Sequence, residues 1–322
     1  MLSKGAGDWR ESSYRDYPSI VGENEFIRIE IVPGRGSKVV SLQNAETGRE
    51  WLFGNDREWE PLSYGMNWED GDRSGWDEMF PTILPCAGAD PGWRQASFPD
   101  HGEVWALPWE SRVSPEEAQM WVEGVQVPYR LSKTYRLSGR TVELLYRLEN
   151  PTPHRFTYMW APHALLAIRE GMMLAAEPHQ VKIEVPFTFG NRLQLEKGFS
   201  PYPQAVTTDG AKTDLSELFA DGAVHAEKYW FTQTFHEGLV TIADSQTGES
   251  LQYIVNPDEV PYLAVWVNNG ALWGDYNAAI EPATAYMDSV EFATALGKAK
   301  AVEGFSSVTW SFKIRLTSRD ER

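Results

Sequence analysis

Cysteine is nearly missing. The 322-residue chain contains one, Cys86, which excludes an intrachain disulfide framework and any site built from several thiolates. Positive charge is also short: Lys and Arg total 29 against 46 Asp and Glu, a formal net charge of −17. Such a balance repels polyphosphate, so nucleic acid is not an expected partner. No apolar run approaches the ~20 residues a membrane-spanning helix requires, so no membrane association is expected. Residues 1–18 are polar and charged without an apolar centre, unlike a leader or an anchor. The expectation is a soluble, acidic, cytoplasmic protein, a monomer or homodimer.

Helix signals are few. Asp214–Ala220 and Ser289–Ala299 each fit a short helix, with Asp214 and Ser289 as caps and Glu291 in the first turn of the second. Period-two alternation dominates instead. Val308, Trp310, Phe312, Ile314 and Leu316 lie on one face and Thr309, Ser311, Lys313 and Arg315 on the other. Val142, Leu144, Tyr146 and Leu148 repeat the pattern, as do Ile27, Ile29 and Ile31. These are half-buried strands. Ser138-Gly139-Arg140 and the Ser245–Gly248 link each join two such runs as hairpins. The 20 Pro and 26 Gly are spread throughout, with no linker or repeat. The fold expected is all-β, a large antiparallel β-sandwich with a few short helices, in one domain over residues 1–322 with residues 1–21 as an N-terminal extension.

Tryptophan is abundant, at fourteen residues. Its apolar face and single N–H donor suit a ligand that is both apolar and hydroxylated, and sugars fit that description. Most large aromatics are nevertheless core residues. Four segments concentrate polar and aromatic side chains beyond what strand packing demands. Gly75-Trp76-Asp77-Glu78-Met79-Phe80-Pro81-Thr82 sets two adjacent carboxylates among aromatics, and both cannot face a core unpaired. In Asp100-His101-Gly102-Glu103-Val104-Trp105 a histidine is flanked by acids, which fix a tautomer or raise its pKa. His163 sits alone in the apolar run Met159–Leu166, where a histidine is most often a satisfied core residue. The fourth segment runs from Trp266 through Asn268, Asn269 and Trp273 to Tyr276–Pro282. Its Glu281 is expected to be partly buried at a strand end, where its proton affinity is tunable.

In order and surroundings these segments resemble the aldose 1-epimerase, or galactose mutarotase-like, family, with similarity running from about Gly22 to Leu316. The carrying residues are Trp76-Asp77-Glu78 with Phe80-Pro81-Thr82, Asp100-His101-Gly102-Glu103 with Trp105, His163, and Ile280-Glu281-Pro282 with Ala283-Thr284. The resemblance implies a galactose mutarotase-like supersandwich with a carbohydrate pocket on a concave face. It implies that a small-molecule sugar hemiacetal is opened with Glu281 as general base and His163 as general acid, assisted by His101, with no metal or other cofactor. Trp76, Trp266 and Trp273 are then candidates for stacking on the sugar, and Asp77, Glu103, Asn268, Asn269 and Asn277 for its polar contacts. Glu281 kept ionised and His163 kept protonated would each favour the other's charge.

The chain departs from the family pattern in three places. His163 is followed by Ala164-Leu165-Leu166, where well-studied members have a Pro-Tyr-Phe-like stretch. The upstream Asn-Arg pair is absent, with Arg73 in the neighbourhood as its substitute, and the family's middle aspartate has no assigned counterpart. Three other readings follow from the same residues. One is a sugar-binding or regulatory protein with a misplaced acid–base pair. Another is an epimerase of phosphorylated sugars using Arg73 and Arg94. The third is glycoside cleavage by Asp77 or Glu78 with Glu281. A metal enzyme on His101, His163 and Glu281 lacks any familiar ligand spacing.

Overall fold

The computed structural model describes residue 5 and residues 7–177, 181–219 and 224–318. The alternating segments pair into two large antiparallel sheets. One has eight strands, with Arg130–Ser138, Thr141–Asn150, Ser306–Thr317 and Ser250–Val255 adjacent in that order near its centre. In its register Val142 lies opposite Ile314, Leu144 opposite Phe312 and Tyr146 opposite Trp310. The apolar residues of both runs therefore share one face, as the two-residue period requires. Both expected hairpins are present, Arg130–Ser138 with Thr141–Asn150 and Leu239–Asp244 with Ser250–Val255.

The second sheet has eleven strands. Its middle runs Trp76–Met79, Ala161–Ala167, Tyr276–Ala283, Tyr262–Asn269, His225–Phe231 and Val181–Thr188. Alternation decides what each of these strands offers to either side. Trp76 and Ala164 are paired, as are Asp77 with His163 and Glu78 with Pro162. Trp76 meets Phe312 of the other sheet edge-on at 5.8 Å, and Trp160 meets Trp310 at 5.6 Å. Trp76 and Glu78 thus point into the interior between the sheets, while Asp77 and His163 point to the opposite face. Burying one such aromatic ring contributes roughly 4–6 kcal/mol before conformational entropy is charged against it.

Residues expected as an N-terminal extension are part of this sheet. Asp8–Tyr14 and Tyr17–Glu23 form its edge hairpin, with Trp9 buried against Tyr135. The alternation there was hidden by Ser, Pro and Gly. The helix expected at Ser289 is found at Val290–Ala295, and the Ser289 hydroxyl accepts from the Phe292 amide. Asp214, expected to cap a helix, instead ends the short strand Lys212–Asp214 and caps a turn by accepting from the Ser216 amide at 2.9 Å. Ala220 lies outside the described residues. Among the described residues no helix is long and apolar enough to cross a membrane.

Candidate active site

A cavity of about 700 Å³ opens on the outer face of the eleven-stranded sheet. Three cross-strand rows build its floor. Leu165, Ala279, Trp266 and Lys228 are successive partners across four strands, and Asn277 pairs with Asn268 two residues away. Between those rows the register continues in step. Leu165 opposes Ala279, and the Thr284 amide donates to the Trp160 carbonyl further along the same pair of strands. That register sets His163 opposite Glu281, with Ala264 as the next partner of Glu281. The 118 positions that separate His163 from Glu281 are thereby bridged by strand pairing.

Glu281 is fully buried. Its Oε2 accepts from the Lys228 ammonium, while Oε1 has no hydrogen-bond partner among the described residues. Lys228 stands two strands away and reaches it across the intervening strand, on which Trp266 is its own partner and Ala264 the partner of Glu281. The span of two inter-strand spacings, roughly 9–10 Å, suits its four-carbon stem. Asp288 lies 3.8 Å from the ammonium and accepts from the Trp230 indole at 3.2 Å. Burial raises the Glu281 pKa above its usual value, the Lys228 charge pulls it back, and Asp288 adds to the rise.

The two histidines approach each other from different elements. His163 comes from its strand, and His101 from a turn in which it has a left-handed φ of 58°. Gly102, also left-handed, has no room for a Cβ, which would fall 2.1 Å from the Phe80 carbonyl oxygen. The ring centroids are 5.0 Å apart, and Trp68 lies against both, stacked on His101 at 5.2 Å and edge-on to His163 at 4.5 Å. His101 Nδ1 lies 3.0 Å from an oxygen of Asp100. Burial works against that carboxylate, but His101 and the Trp68 amide hold it below the usual range.

His163 is in a different state from the one expected. Burial first, then the charges of His101, Lys228 and Lys38, hold its pKa well below 6.5, so the ring is neutral at pH 7. A depressed histidine pKa makes the folded state resist protonation. The associated stability is complete above pH 6.5 and is lost as pH falls from there toward the folded-state pKa. The loss approaches about 1.4 kcal/mol per pH unit for one proton. We therefore expect His163→Gln to flatten the fall in unfolding free energy between pH 6.5 and 5. Urea titrations of the two proteins check this, and parallel pH dependences would contradict the assignment.

Arg73, Trp266, Asn268, Trp273 and Asn277 all line the cavity with His101, His163 and Glu281. Their surroundings qualify the expected roles. Trp273 stands half-exposed at the mouth beneath the Arg73 guanidinium, 4.2 Å from its ring centroid, and Arg73 also lies 3.9 Å from Asp275. The Asn268 side chain bonds both the amide and the carbonyl of Leu272, clamping the loop that carries Trp273. Asn277 accepts from the Trp266 indole at 3.3 Å, and Phe187 stacks on the same indole at 5.8 Å.

Five assignments need correction. Trp76 belongs to the inter-sheet core, because its face of the strand points away from the cavity. Asp77 points the right way but is covered. It accepts from Lys38 at 2.7 Å and from the Trp68 indole at 2.9 Å, so it holds the tryptophan that supports both histidines. Glu103 is fully buried and accepts from the Tyr64 and Tyr129 hydroxyls and the Gln126 amide. Asn269 is on the alternate face from Asn268 and does not line the cavity. Arg94 does not line it either, so the proposed phosphate pair is not assembled.

Sequence reading missed Trp68, Lys228 and Asp288. A signal existed for Lys228: Glu227 and Lys228 together precede the aromatic run Tyr229-Trp230-Phe231, and because neighbours on a strand face opposite sides, a buried lysine there requires an anion other than Glu227. Among the described residues no group of three or more His, Cys, Asp or Glu side chains is arranged to hold a metal ion.

The architecture has close structural counterparts. A galactose mutarotase-like protein from Clostridium acetobutylicum is similar with a TM-score of 0.67, over 98% of this chain and 100% of that one, at 13% identity. A galactose mutarotase related enzyme from Lactobacillus acidophilus gives 0.66 over 94% and 98%, at 13% identity. The Slr1438 protein from Synechocystis sp. PCC 6803 gives 0.63 over 99% of both chains, at 16% identity. No protein-family model matches the chain, and no curated protein matches its sequence. At these identities the likeness is one of fold.

Proposed function

Taking the galactose mutarotase-like fold of this chain as premise, we propose that the cavity binds a free aldose and interconverts its anomers by ring opening. The observation that carries this reading is Glu281: a buried carboxylate with one oxygen fixed by Lys228 and the other without a partner, beside His163 in a tryptophan-walled cavity. An unpartnered carboxylate oxygen in such a place is suited to accept the proton of the anomeric hydroxyl. As O1–H is broken, O1 forms the carbonyl and the C1–O5 bond breaks. His101 and His163 supply ring N–H groups at the other side of the reacting carbon. A neutral His163 hydrogen-bonds the ring oxygen and polarises it, in place of the cationic acid the family resemblance implies. Trp266 and Trp273 offer apolar faces to the sugar's C–H groups.

The acid residues around the cavity, Glu69, Asp100, Asp275, Glu281 and Asp288, outnumber Arg73 and Lys228, which favours a neutral sugar over a phosphorylated one. Glycoside cleavage by Glu281 with Asp77 or Glu78 is disfavoured because Lys38 and Trp68 hold Asp77 and the core encloses Glu78. The reading is tested by polarimetry and saturation-transfer NMR across a panel of free aldoses. Acceleration over buffer for at least one sugar is expected. Calorimetric binding without acceleration would instead assign the cavity to sugar capture.

A further inference from the structure

We propose that Lys228 is the proton donor to the ring oxygen, and that Lys228 and Glu281 act together as one bifunctional acid–base unit. The inference rests on the mutarotase reading above and assigns the acid that reading lacks. A neutral imidazole can hydrogen-bond the ring oxygen, but giving up its remaining N–H proton would create an imidazolate, so the buried His163 is a poor source of a full proton. Lys228 is the cationic donor on the cavity floor, and it already stands against the base. An ammonium has three N–H groups. Glu281 Oε2 takes one and Asp288 lies 3.8 Å from the nitrogen, and the remaining donor capacity is assigned to a ligand in the cavity that Lys228 lines.

Ring opening needs a proton removed from O1 and a proton given to O5, two oxygens bonded to the same carbon. A base and an acid in contact with each other meet that demand from one side. Glu281 Oε1 takes the O1 proton, the O–H electron pair becomes the second C1–O1 bond, and the C1–O5 pair leaves with O5. O5 then takes its proton from Lys228, leaving a neutral amine beside a neutral carboxylic acid. After the aldehyde rotates, closure reverses both transfers. O1 takes the proton from Glu281, the O5 hydroxyl gives its proton to Lys228, and a bond forms between O5 and the other face of C1. No redox partner is needed, and the ion pair is restored at each closure.

The same geometry suits a purely electrostatic lysine, so the test must separate charge from proton transfer. Lys228→Arg keeps a cation against Glu281 but holds its protons too tightly to release them. Anomer interconversion by the intact wild-type chain, Lys228→Arg and Lys228→Met is followed on the sugar panel, with affinity measured by calorimetry. Expected is a loss of about 10²–10⁴-fold in kcat for both variants, with the Lys228→Arg affinity within about threefold of wild type. Methylammonium added to Lys228→Met should restore at least roughly tenfold of the lost rate. If Lys228→Met does not fold, Lys228→Arg decides alone. A Lys228→Arg kcat within about threefold of wild type overturns the donor role and leaves the mutarotase reading standing. A wild-type chain that accelerates no sugar overturns both.

Discussion

Glu281→Gln lowers kcat for anomer interconversion by about 10²–10⁴-fold while the sugar still binds. The amide preserves the size and planarity of the side chain but cannot accept the anomeric proton. Lys228 keeps Asp288 at 3.8 Å as a counter-charge, so the floor of the cavity is not left with an isolated cation. The loss therefore falls on the chemical step and spares the fold. The pH profile gives a second, independent reading. Burial, aided by Asp288 and opposed by Lys228, raises Glu281 above the ordinary 4.5. The base works only when ionised, so kcat/KM rises with pH through that raised pKa, and the acid limb is displaced upward from the usual glutamate range. Polarimetry as a function of pH, with calorimetry on the variant, measures both effects. A Glu281→Gln protein as active as wild type would remove the proposed base.

The largest stability effect is expected at Lys133. Its ammonium lies in the interior, where it donates to Glu78 at 2.9 Å and to the Ser37 carbonyl at 3.2 Å. Glu78 also accepts from the Tyr146 hydroxyl and the Trp160 indole. The group ties the two sheets together, since Lys133 and Tyr146 come from the eight-stranded sheet and Glu78 and Trp160 from the other side. Burial lowers the Lys133 pKa, against the attraction of Glu78. Lys133→Met leaves the carboxylate enclosed without its counter-charge, a change that costs about 3–5 kcal/mol. Removing both charges in Lys133→Met/Glu78→Gln should recover a large part of that loss, because the Gln amide oxygen can accept from the Trp160 indole while its NH2 donates to the Tyr146 oxygen. Urea unfolding of the three proteins measures the cycle. A single-variant loss below about 1 kcal/mol would show that the pair is compensated by other means.

Much of the fold was legible because a sheet with one buried face writes a two-residue period into its sequence. Val142–Leu148 and Val308–Leu316 announce their strands and even their shared face. The edge hairpin at residues 8–23 was not legible, since Ser12, Ser13, Pro18 and Gly22 blur the alternation. The site was partly legible. Glu281, His163 and His101 do come together around one cavity. The same period would have separated Trp76 from Asp77, because adjacent strand residues cannot both face a ligand, yet composition and resemblance drew attention to the tryptophan. Of the fourteen tryptophans only Trp68, Trp266 and Trp273 line the cavity, so the abundance mostly reflects packing elsewhere, as at Trp76, Trp160 and Trp310 between the sheets. Lys228 escaped because its meaning depends on Glu281, 53 positions later and two strands away, a relation that only the register discloses.

The strand ladder beneath Leu165, Trp266 and Asn277 carries a wider implication. The backbone ladder beneath the cavity is complete, and the side chains that stand on it and line the hollow, among them Leu165, Trp266 and Asn277, set the space above. Its depth is therefore adjustable by side-chain volume alone. A larger or smaller side chain at Leu165 or Asn277 would make the bowl shallower or deeper without changing the inter-strand ladder. A scaffold of this kind can change which ring it admits while its framework and its proton-handling groups stay where they are.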